Sequence, residues 1–582
     1  MAENIYRTHT CGELCEKNIG GAVRLAGWID AVRDHGGVLF IDLRDNYGVT
    51  QIVLSDDGMI AGISRESVIS VEGKVIKRDA ETANPKISTG YVEVKVERLA
   101  VLSKSAPSLP FEVSSSTETR EEVRLKHRFL DLRNPRVHNN IIMRANIISW
   151  LRRIMEELGF IEIQTPILTS SSPEGARDYI VPSRKHPGLF YALPQAPQQF
   201  KQLLMVSGFD KYFQVAPCFR DEDSRLDRSP GEFYQLDFEM SFATQEDVFD
   251  VAEQALYSTF SKFSDKYVSP APFVRIPYGE SMLKYGTDKP DLRNPLIICD
   301  LTGFFEDSDF KPFRNRPVRG IVVPDCAKQA NAFFNDFNEF ARGIGMGAGI
   351  GYINLQDGGQ LKGPIAKFLT GAQQRELIDM LGMKELDTLF FICDDGKVVN
   401  RLAGQIRVEL GKRLGLTDEG RFELCFVTDY PMYEMDEDTG KLYFSHNPFS
   451  MPQGGLDALL TQEPLEIKAW QYDIVCNGVE LSSGAVRNHV TEIMLKAFEI
   501  AGYDEQTVRA KFGALYQAFQ YGAPPHAGMA PGVDRIVMLL TGEQNIREVI
   551  AFPMTGSAQD LLMGAPGEVT ELQLREAHIR VR

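Results

Sequence analysis

Within residues 1–104, apolar and polar positions alternate in five short runs: Ala22-Val-Arg-Leu-Ala-Gly-Trp-Ile29, Val38-Leu-Phe-Ile-Asp-Leu43, Thr50-Gln-Ile-Val-Leu54, 67–75 and 90–96. A period of two buries one side of each strand, and five such strands separated by glycine-rich or polar turns predict a small Greek-key barrel of the OB type. Ala106-Pro-Ser-Leu-Pro110 and Ser114-Ser-Ser-Thr117 then break the periodicity, and a charged helical stretch covers 121–138. Beyond it the spacing becomes helical. Ile142, Ala145, Ile148, Leu151, Ile154, Met155 and Leu158 predict a helix over 139–158 with one buried face, ended by Gly159 and followed by a strand over 160–166. Further on, Pro217-Cys-Phe-Arg-Asp-Glu222 leads through a charged loop to the alternating run Phe233-Tyr-Gln-Leu-Asp-Phe-Glu239, which reads as strand, loop and returning strand. Gly528-Met-Ala-Pro-Gly-Val-Asp-Arg535 precedes an apolar helical stretch, Ile536-Val-Met-Leu-Leu540.

At 582 residues the chain exceeds what one core supports and should form several domains, with 43% hydrophobic and 25% charged residues as in ordinary globular proteins. The eight cysteines include no CxxC pair, the nearest two being Cys11 and Cys15, which argues against a zinc site or a disulfide framework. The opening residues lack an apolar signal core, and no apolar stretch is long enough for a bilayer. A cytosolic protein, neither exported nor membrane-embedded, is expected. A net charge of −17 disfavours a nucleic-acid partner at first sight, yet residues 1–104 hold 13 Lys+Arg against 15 Asp+Glu, a net of only −2. A local RNA-binding face in the barrel stays open. Phe40 fits a base-stacking ring and a core position equally well, while Arg33 and Gln51 offer hydrogen bonds to bases or phosphates.

Arg220 and Arg535 carry the clearest chemistry. A guanidinium is permanently charged and presents a planar fork of donors suited to phosphate oxygens, so the two segments together point to ATP. Their order resembles motifs 2 and 3 of the class II aminoacyl-tRNA synthetases, and the helix, strand and Pro166 resemble motif 1, which in that family builds a homodimer interface; an internal core helix is the alternative. Class II enzymes form an aminoacyl-adenylate by in-line attack of the amino-acid carboxylate on the α-phosphate, which demands fixed positive charge and pinned reactants rather than a general base. The resemblance implies that Arg220 neutralises the α-phosphate, Glu222 orders the adenine end, Phe233 stacks on adenine and Arg535 holds the γ-phosphate. Asp221, Arg228, Glu480, Gly532 and Asp534 complete the ATP site. In Gln471-Tyr-Asp473 through Asn477-Gly-Val-Glu480, two carboxylates seven apart suit Mg²⁺ bridging phosphates, solvated loop acids being the alternative.

Leu193-Pro-Gln-Ala-Pro-Gln-Gln-Phe-Lys201 resembles the aspartate-specific form of the family. Here Gln195, Gln198 and Lys201 face the pocket, and Arg487 closes it from the other side. Two cations on one short side chain fit a carboxylate and disfavour asparagine, whose amide leaves buried charge unpaired. Asp237 is expected to receive the substrate α-ammonium, Glu174 to sit at the tip of a closing loop, and His446 to line the pocket, with Asn447 where many relatives carry a second histidine. Gly27-Trp-Ile, Arg33-Asp and Phe40-Ile-Asp-Leu-Arg-Asp45 resemble the anticodon-binding barrel of the aspartyl, asparaginyl and lysyl enzymes, with Arg33, His35, Phe40, Gln51 and Arg78 toward the anticodon. Between Tyr285-Gly-Thr-Asp-Lys-Pro-Asp291 and Asp429-Tyr-Pro431 lies an α/β insertion resembling the extra domain of bacterial aspartyl enzymes and of a tRNA amidotransferase subunit. Its Gly343–Gly351 run lacks the GxGxxG register and reads as a structural turn.

The implied fold is multidomain: an OB barrel over 1–105, a hinge over 106–138, an antiparallel-sheet catalytic domain in two parts over 139–286 and 421–560, an inserted α/β domain over 287–420, and an extension over 561–582. The implied activity is ATP-dependent ligation of L-aspartate to tRNA(Asp). His35, after Arg33-Asp34, resembles the relaxed forms that also aspartylate tRNA(Asn), whose product an amidotransferase must convert; neutral drift in a surface turn is the alternative. Ala31, Val32 and Thr82-Ala-Asn-Pro85 also depart from relatives. Competing readings are an asparaginyl or lysyl enzyme and a catalytically silent RNA-binding relative.

Overall fold

The computed structural model describes residues 4–55, 60, 62–171, 176–228, 230–347 and 349–581. Two units divide the chain, Met1–Ser116 and Thr117–Arg582. The first closes five strands, β1 (Ala22–Asp34), β2 (Leu39–Arg44), β3 (Val49–Leu54), β4 (Val68–Lys77) and β5 (Val92–Ser103), into a barrel of order β1-β2-β3-β5-β4. Alternation explains its core. Leu25, Ile29, Ile41, Leu43, Ile52, Leu54, Ile69, Val71 and Val94 are fully buried, whereas Phe40 and Asp42 of β2 point outward. Phe40 is thus not a core residue.

The second unit holds an eight-stranded sheet. Its strands are β6 (Ile161–Glu162), β7 (Lys211–Arg220), β8 (Gly231–Ser241), β9 (Val274–Pro277), β10 (Leu424–Thr428), β11 (Gln471–Cys476), β12 (Val479–Val486) and β13 (His526–Met529), in the order β9-β10-β11-β12-β13-β8-β7-β6. The central six are antiparallel, but both edge strands pair parallel, so the sheet is mixed rather than wholly antiparallel. Helix α1 (Pro135–Glu157) packs Ile147, Leu151 and Met155 on the same core as Phe213, Leu236, Phe238 and Ile536.

Helix α1 begins four residues before the expected start at 139 because Asn134 accepts from the Arg136 amide and Pro135 supplies a preset first turn. The stripe itself divides: Leu151, Ile154 and Met155 are buried, while Ile142 and Ala145 are exposed. The charged stretch before it forms two short helices, Glu121–Lys126 and Arg128–Asp131, and only Ile161–Glu162 of the expected 160–166 strand pairs.

The insertion carries its own five-stranded sheet, in order Ile298–Asp300, Val318–Val323, Thr388–Cys393, Gly351–Gln356 and Gln360–Lys362, with every pairing antiparallel. Helices Asn331–Gly343 and Gly396–Arg413 accompany it. The glycine run is the turn from the first of these helices into a strand. Gly349 has φ +76°, and a Cβ there would lie 2.0 Å from Asn338 Oδ1, which explains the residue type without any nucleotide. The C-terminal extension contains one short helix, Glu571–Glu576. Among the described residues no helix is long and apolar enough to cross a membrane.

Candidate active site

The β7–β8 hairpin places Arg220 opposite Gly231 and Phe233 opposite Cys218. A two-residue period then puts Phe233, Gln235, Asp237 and Glu239 on one side of β8. The first three line a cavity of about 650 Å³ whose wall also includes Glu480 and Arg487 from the other half of the sheet. Arg220 and Arg535 share this cavity. The Arg220 guanidinium lies 4.9 Å from the Phe233 ring centroid, and its Nε is buried without a hydrogen-bond partner. Arg535 projects from the first turn of α3 (Val533–Thr541), where Nη1 donates to the Glu480 carbonyl at 2.6 Å and Nη2 reaches Asp227 Oδ2 at 3.3 Å. Arg228 is ion-paired with Glu222.

Gly532 precedes α3 and bridges to Gln235, tying that helix to β8. Asp534 borders the cavity, but both its oxygens are occupied: Oδ2 accepts from the Tyr234 amide at 2.8 Å and Oδ1 pairs with Arg144 of α1. Its geometry is that of a buried tie among three elements. Asp221 is not among the lining residues and instead bonds with Arg177.

At the inner end sits a buried cluster of four charges. Lys201 Nζ, on α2 (Gln198–Val206), lies 2.6 Å from Asp237 Oδ1 and 3.3 Å from Glu239 Oε2. Arg487 Nε donates to Glu239 Oε1 at 2.8 Å, and its Nη2 donates to the Gly528 carbonyl at 3.3 Å. Burial pushes the Glu239 carboxyl up, but Arg487 and Lys201 outweigh it and hold it below the ordinary range. Asp237 is raised, burial exceeding the pull of Lys201. Glu239 escaped the sequence reading, although its position two residues past Asp237 on an alternating strand was the available signal. Its presence adds to the expectation of two cations converging on a ligand carboxylate: each already has a carboxylate partner, and the ligand must share them.

Gln198 lines the cavity with its Nε2 unpartnered, and Asp237 Oδ2 is likewise buried and unpartnered. Gln195 is not among the cavity's lining residues and bonds the Ala176 backbone and, at 2.6 Å, Asp178 Oδ1. Glu174 lies outside the described residues. His446 lines the cavity and packs edge-on to Tyr430 at 4.8 Å, and burial lowers its pKa, so the imidazole is neutral at neutral pH.

Among the described residues no three His, Cys, Asp or Glu side chains form a metal cage. A phosphate-bridging Mg²⁺ needs only one or two carboxylates, the rest of its shell being phosphate and water. Of the two carboxylates singled out for that role, Glu480 lines the cavity, whereas Asp473 is buried behind it and is not among the lining residues. Asp473 Oδ2 accepts from Tyr430 at 2.8 Å, Oδ1 is buried and unpartnered, and burial with the neighbouring Glu480 charge pushes the carboxyl up to about 7. Lys289 Nζ stands 3.3 Å from Glu480 Oε2.

On the barrel, Arg33 forks onto Asp42 at 2.8 and 2.7 Å and reaches Gln51 Oε1 at 3.2 Å, while Gln51 donates to Glu93 at 2.6 Å. Arg78 lies 4.0 Å from the same Glu93. His35 stands edge-on to Phe40 with centroids 5.5 Å apart. The five residues therefore form two groups: His35 with Phe40, and Arg33, Gln51 and, just past β4, Arg78, linked through Asp42 and Glu93.

Residues 120–556 match the family model of class II tRNA synthetases (D, K and N), and residues 23–102 match that of the OB-fold nucleic acid binding domain. Over 99% of its length the chain is 57% identical to an aspartate–tRNA(Asp/Asn) ligase of Rickettsia prowazekii (97% of that protein) and 56% identical to an aspartate–tRNA ligase of Streptomyces avermitilis (99% of it). In fold it resembles the aspartyl tRNA synthetase from Entamoeba histolytica, at TM-score 0.57 and 21% identity over 93% of this chain and 90% of that one. It also resembles the asparaginyl-tRNA synthetase from Pyrococcus horikoshii, at TM-score 0.57 and 19% identity over 95% and 99%.

Proposed function

The chain belongs to the class II tRNA synthetases of the aspartyl, lysyl and asparaginyl group, and from that premise we propose that it ligates L-aspartate to tRNA(Asp), and also to tRNA(Asn), through an aspartyl-adenylate. The observation that carries the reaction is the single cavity lined by both Arg220 and Arg535, with a buried acid–base cluster at its inner end. An aspartate carboxylate oxygen attacks the α-phosphorus of ATP, a P–O bond forms, the bond to the β-phosphate oxygen breaks, and pyrophosphate leaves. Transfer to the tRNA 3′ end then releases AMP.

Arg220, on the cavity wall, meets the α-phosphate with its guanidinium, and Phe233 beside it offers the ring on which adenine stacks. Arg535, fixed by Glu480 and Asp227, takes the outer phosphates, with Arg228 and Glu222 at the loop. These groups are aimed before the substrate arrives, so little reorganisation accompanies charge transfer. Asp473 and Glu480 are the carboxylates that would hold Mg²⁺, which would add positive charge at the phosphates when bound. Lys201 and Arg487 share the side-chain carboxylate of aspartate, Asp237 Oδ2 and Gln198 hold its amino-acid end, and neutral His446 borders it. Asparagine offers an amide where a third acceptor is needed, which puts its rejection at about a hundredfold or more.

The outward ring of Phe40 and the polar chain through Arg33, Gln51 and Arg78 form the anticodon face, and His35 packed on Phe40 supports the wider tRNA range. The exposed Ile142, Ile161, Ile167 and Leu168 supply an apolar surface for a homodimer, and a cytoplasmic location fits an enzyme of translation. Aminoacylation of purified tRNA(Asp) and tRNA(Asn) with aspartate, side by side, tests the reading. Charging of both is expected; charging of tRNA(Asp) alone removes the inference from His35, and pyrophosphate exchange driven by asparagine or lysine instead of aspartate removes the substrate assignment.

A further inference from the structure

One side chain outside the described site reaches its loop. Arg547 follows α3 in a short turn (Ile546–Val549) and is 11% exposed at its side chain. Its Nη1 donates to Ser224 Oγ at 3.1 Å, within the loop that carries Glu222, Asp227 and Arg228. Its Nε donates to Glu121 Oε2 at 3.0 Å, in the first turn of the hinge helix. The adjacent Ile546 amide donates to the Leu226 carbonyl at 2.8 Å, and Asn545 Nδ2 donates to the same Glu121 oxygen at 3.1 Å. Two ties thus run from the 545–547 turn to the loop and two to the hinge acid.

We infer that Arg547 is a positioning residue that locks the 222–228 loop over the nucleotide, and that Glu121 holds it in that attitude, so the segment following the barrel governs ATP affinity. The inference rests on the ATP-dependent reading above. Among the described residues the loop, which carries a cationic and an anionic phosphate-site group, is tied within itself by the Arg225–Arg228 backbone pair, the Ser224 Oγ reach to the Arg228 carbonyl at 3.4 Å and the Glu222–Arg228 ion pair, and Arg535 meets its Asp227 at 3.3 Å from outside. A surface loop opens more readily the fewer bonds fix it to elements outside itself. Arg547 supplies one that is charge-assisted and would otherwise dangle, because its guanidinium is fixed in plane by the carboxylate behind it. Arg547 approaches neither the Lys201–Glu239 cluster nor the aspartate end in any bond it makes, so its effect should fall on ATP and not on the amino acid.

The test uses the full chain with Arg547→Gln, Glu121→Gln and the smaller Ser224→Ala. Amide hydrogen exchange in 222–228 should quicken about tenfold in Arg547→Gln and Glu121→Gln, with β2 of the barrel unchanged within twofold. The dissociation constant of ATP should rise about tenfold while the KM for aspartate stays within twofold, and Ser224→Ala combined with Arg547→Gln should be no worse than Arg547→Gln alone. Unaltered loop exchange in both single variants overturns the inference. So does an equal loss in ATP and aspartate constants with faster exchange throughout, which marks a merely structural role. A wild-type chain that binds no ATP sinks the functional reading, and the loop exchange still decides the role of Arg547.

Discussion

Replacing Glu239 by Gln tests the charge arrangement at the inner end of the cavity. In the native chain Lys201 and Arg487 are matched by Asp237 and Glu239, so four groups with 0–2% exposure sum to zero charge. The variant leaves a net charge of +1 in the same enclosure. At an effective dielectric of about 20, unit charges at the 2.8 Å and 3.3 Å separations of Glu239 from Arg487 and Lys201 attract by roughly 6 and 5 kcal/mol. Desolvation offsets most of that, and what the substitution exposes is the uncompensated cation, a loss of about 3–5 kcal/mol. Urea unfolding followed by circular dichroism at pH 7.5 measures it. The pH dependence has a definite sign. Glu239 is depressed in the folded chain, so its contribution is present above the ordinary glutamate value of 4.5 and disappears only as pH falls through the lower folded value. The gap between wild type and variant should therefore stay flat from about pH 8 to 5 and close below that window. Saturating L-aspartate carries one net negative charge into the cluster, so it should stabilise the variant more than the wild type. A loss under about 1 kcal/mol at pH 7.5 would falsify the picture of a dry, balanced cluster, because hydrated charges tolerate the change.

Other expectations follow from single contacts. Arg535→Ala should lower aspartate-dependent ATP–pyrophosphate exchange by about a hundredfold or more with the fold intact by circular dichroism, and undiminished exchange removes this residue from the mechanism. Phe40→Ala should raise the KM for tRNA about tenfold and leave pyrophosphate exchange untouched, since the ring is on the outside of the barrel; equal loss in both assays contradicts a stacking role. Gly528→Ala places a Cβ 2.1 Å from the Phe238 carbonyl and 2.3 Å from Glu239 Oε2, so urea unfolding should register a loss of several kcal/mol, about 3 or more.

What the chain discloses about itself depends on the range over which each feature is determined. Barrel strands and the β7–β8 hairpin are local: side-chain alternation is set by the backbone, so Phe233, Gln235 and Asp237 could be placed on one side without any structure. The start of α1 was equally local, but Pro135 lies seven residues before Ile142, where the apolar stripe begins, and was hidden by the charged stretch around it. Pairing inside the site is not local. Lys201 finds Asp237 at a separation of 36 residues and Arg487 finds Glu239 at 248, so no pattern along the chain links them. A weaker rule was nevertheless available. An acid at an inward position of a strand that otherwise buries apolar residues must meet a cation or lose its charge. Asp237 and Glu239 both occupy such positions, flanking Phe238, which is fully buried in the core on the opposite side. Two inward acids require two inward cations, and Lys201 with Arg487 had already been assigned to the pocket. That balance, which the sequence reading did not apply, recasts aspartate selection: the pocket recognises a carboxylate by what its two cations still lack once the protein's own acids are counted.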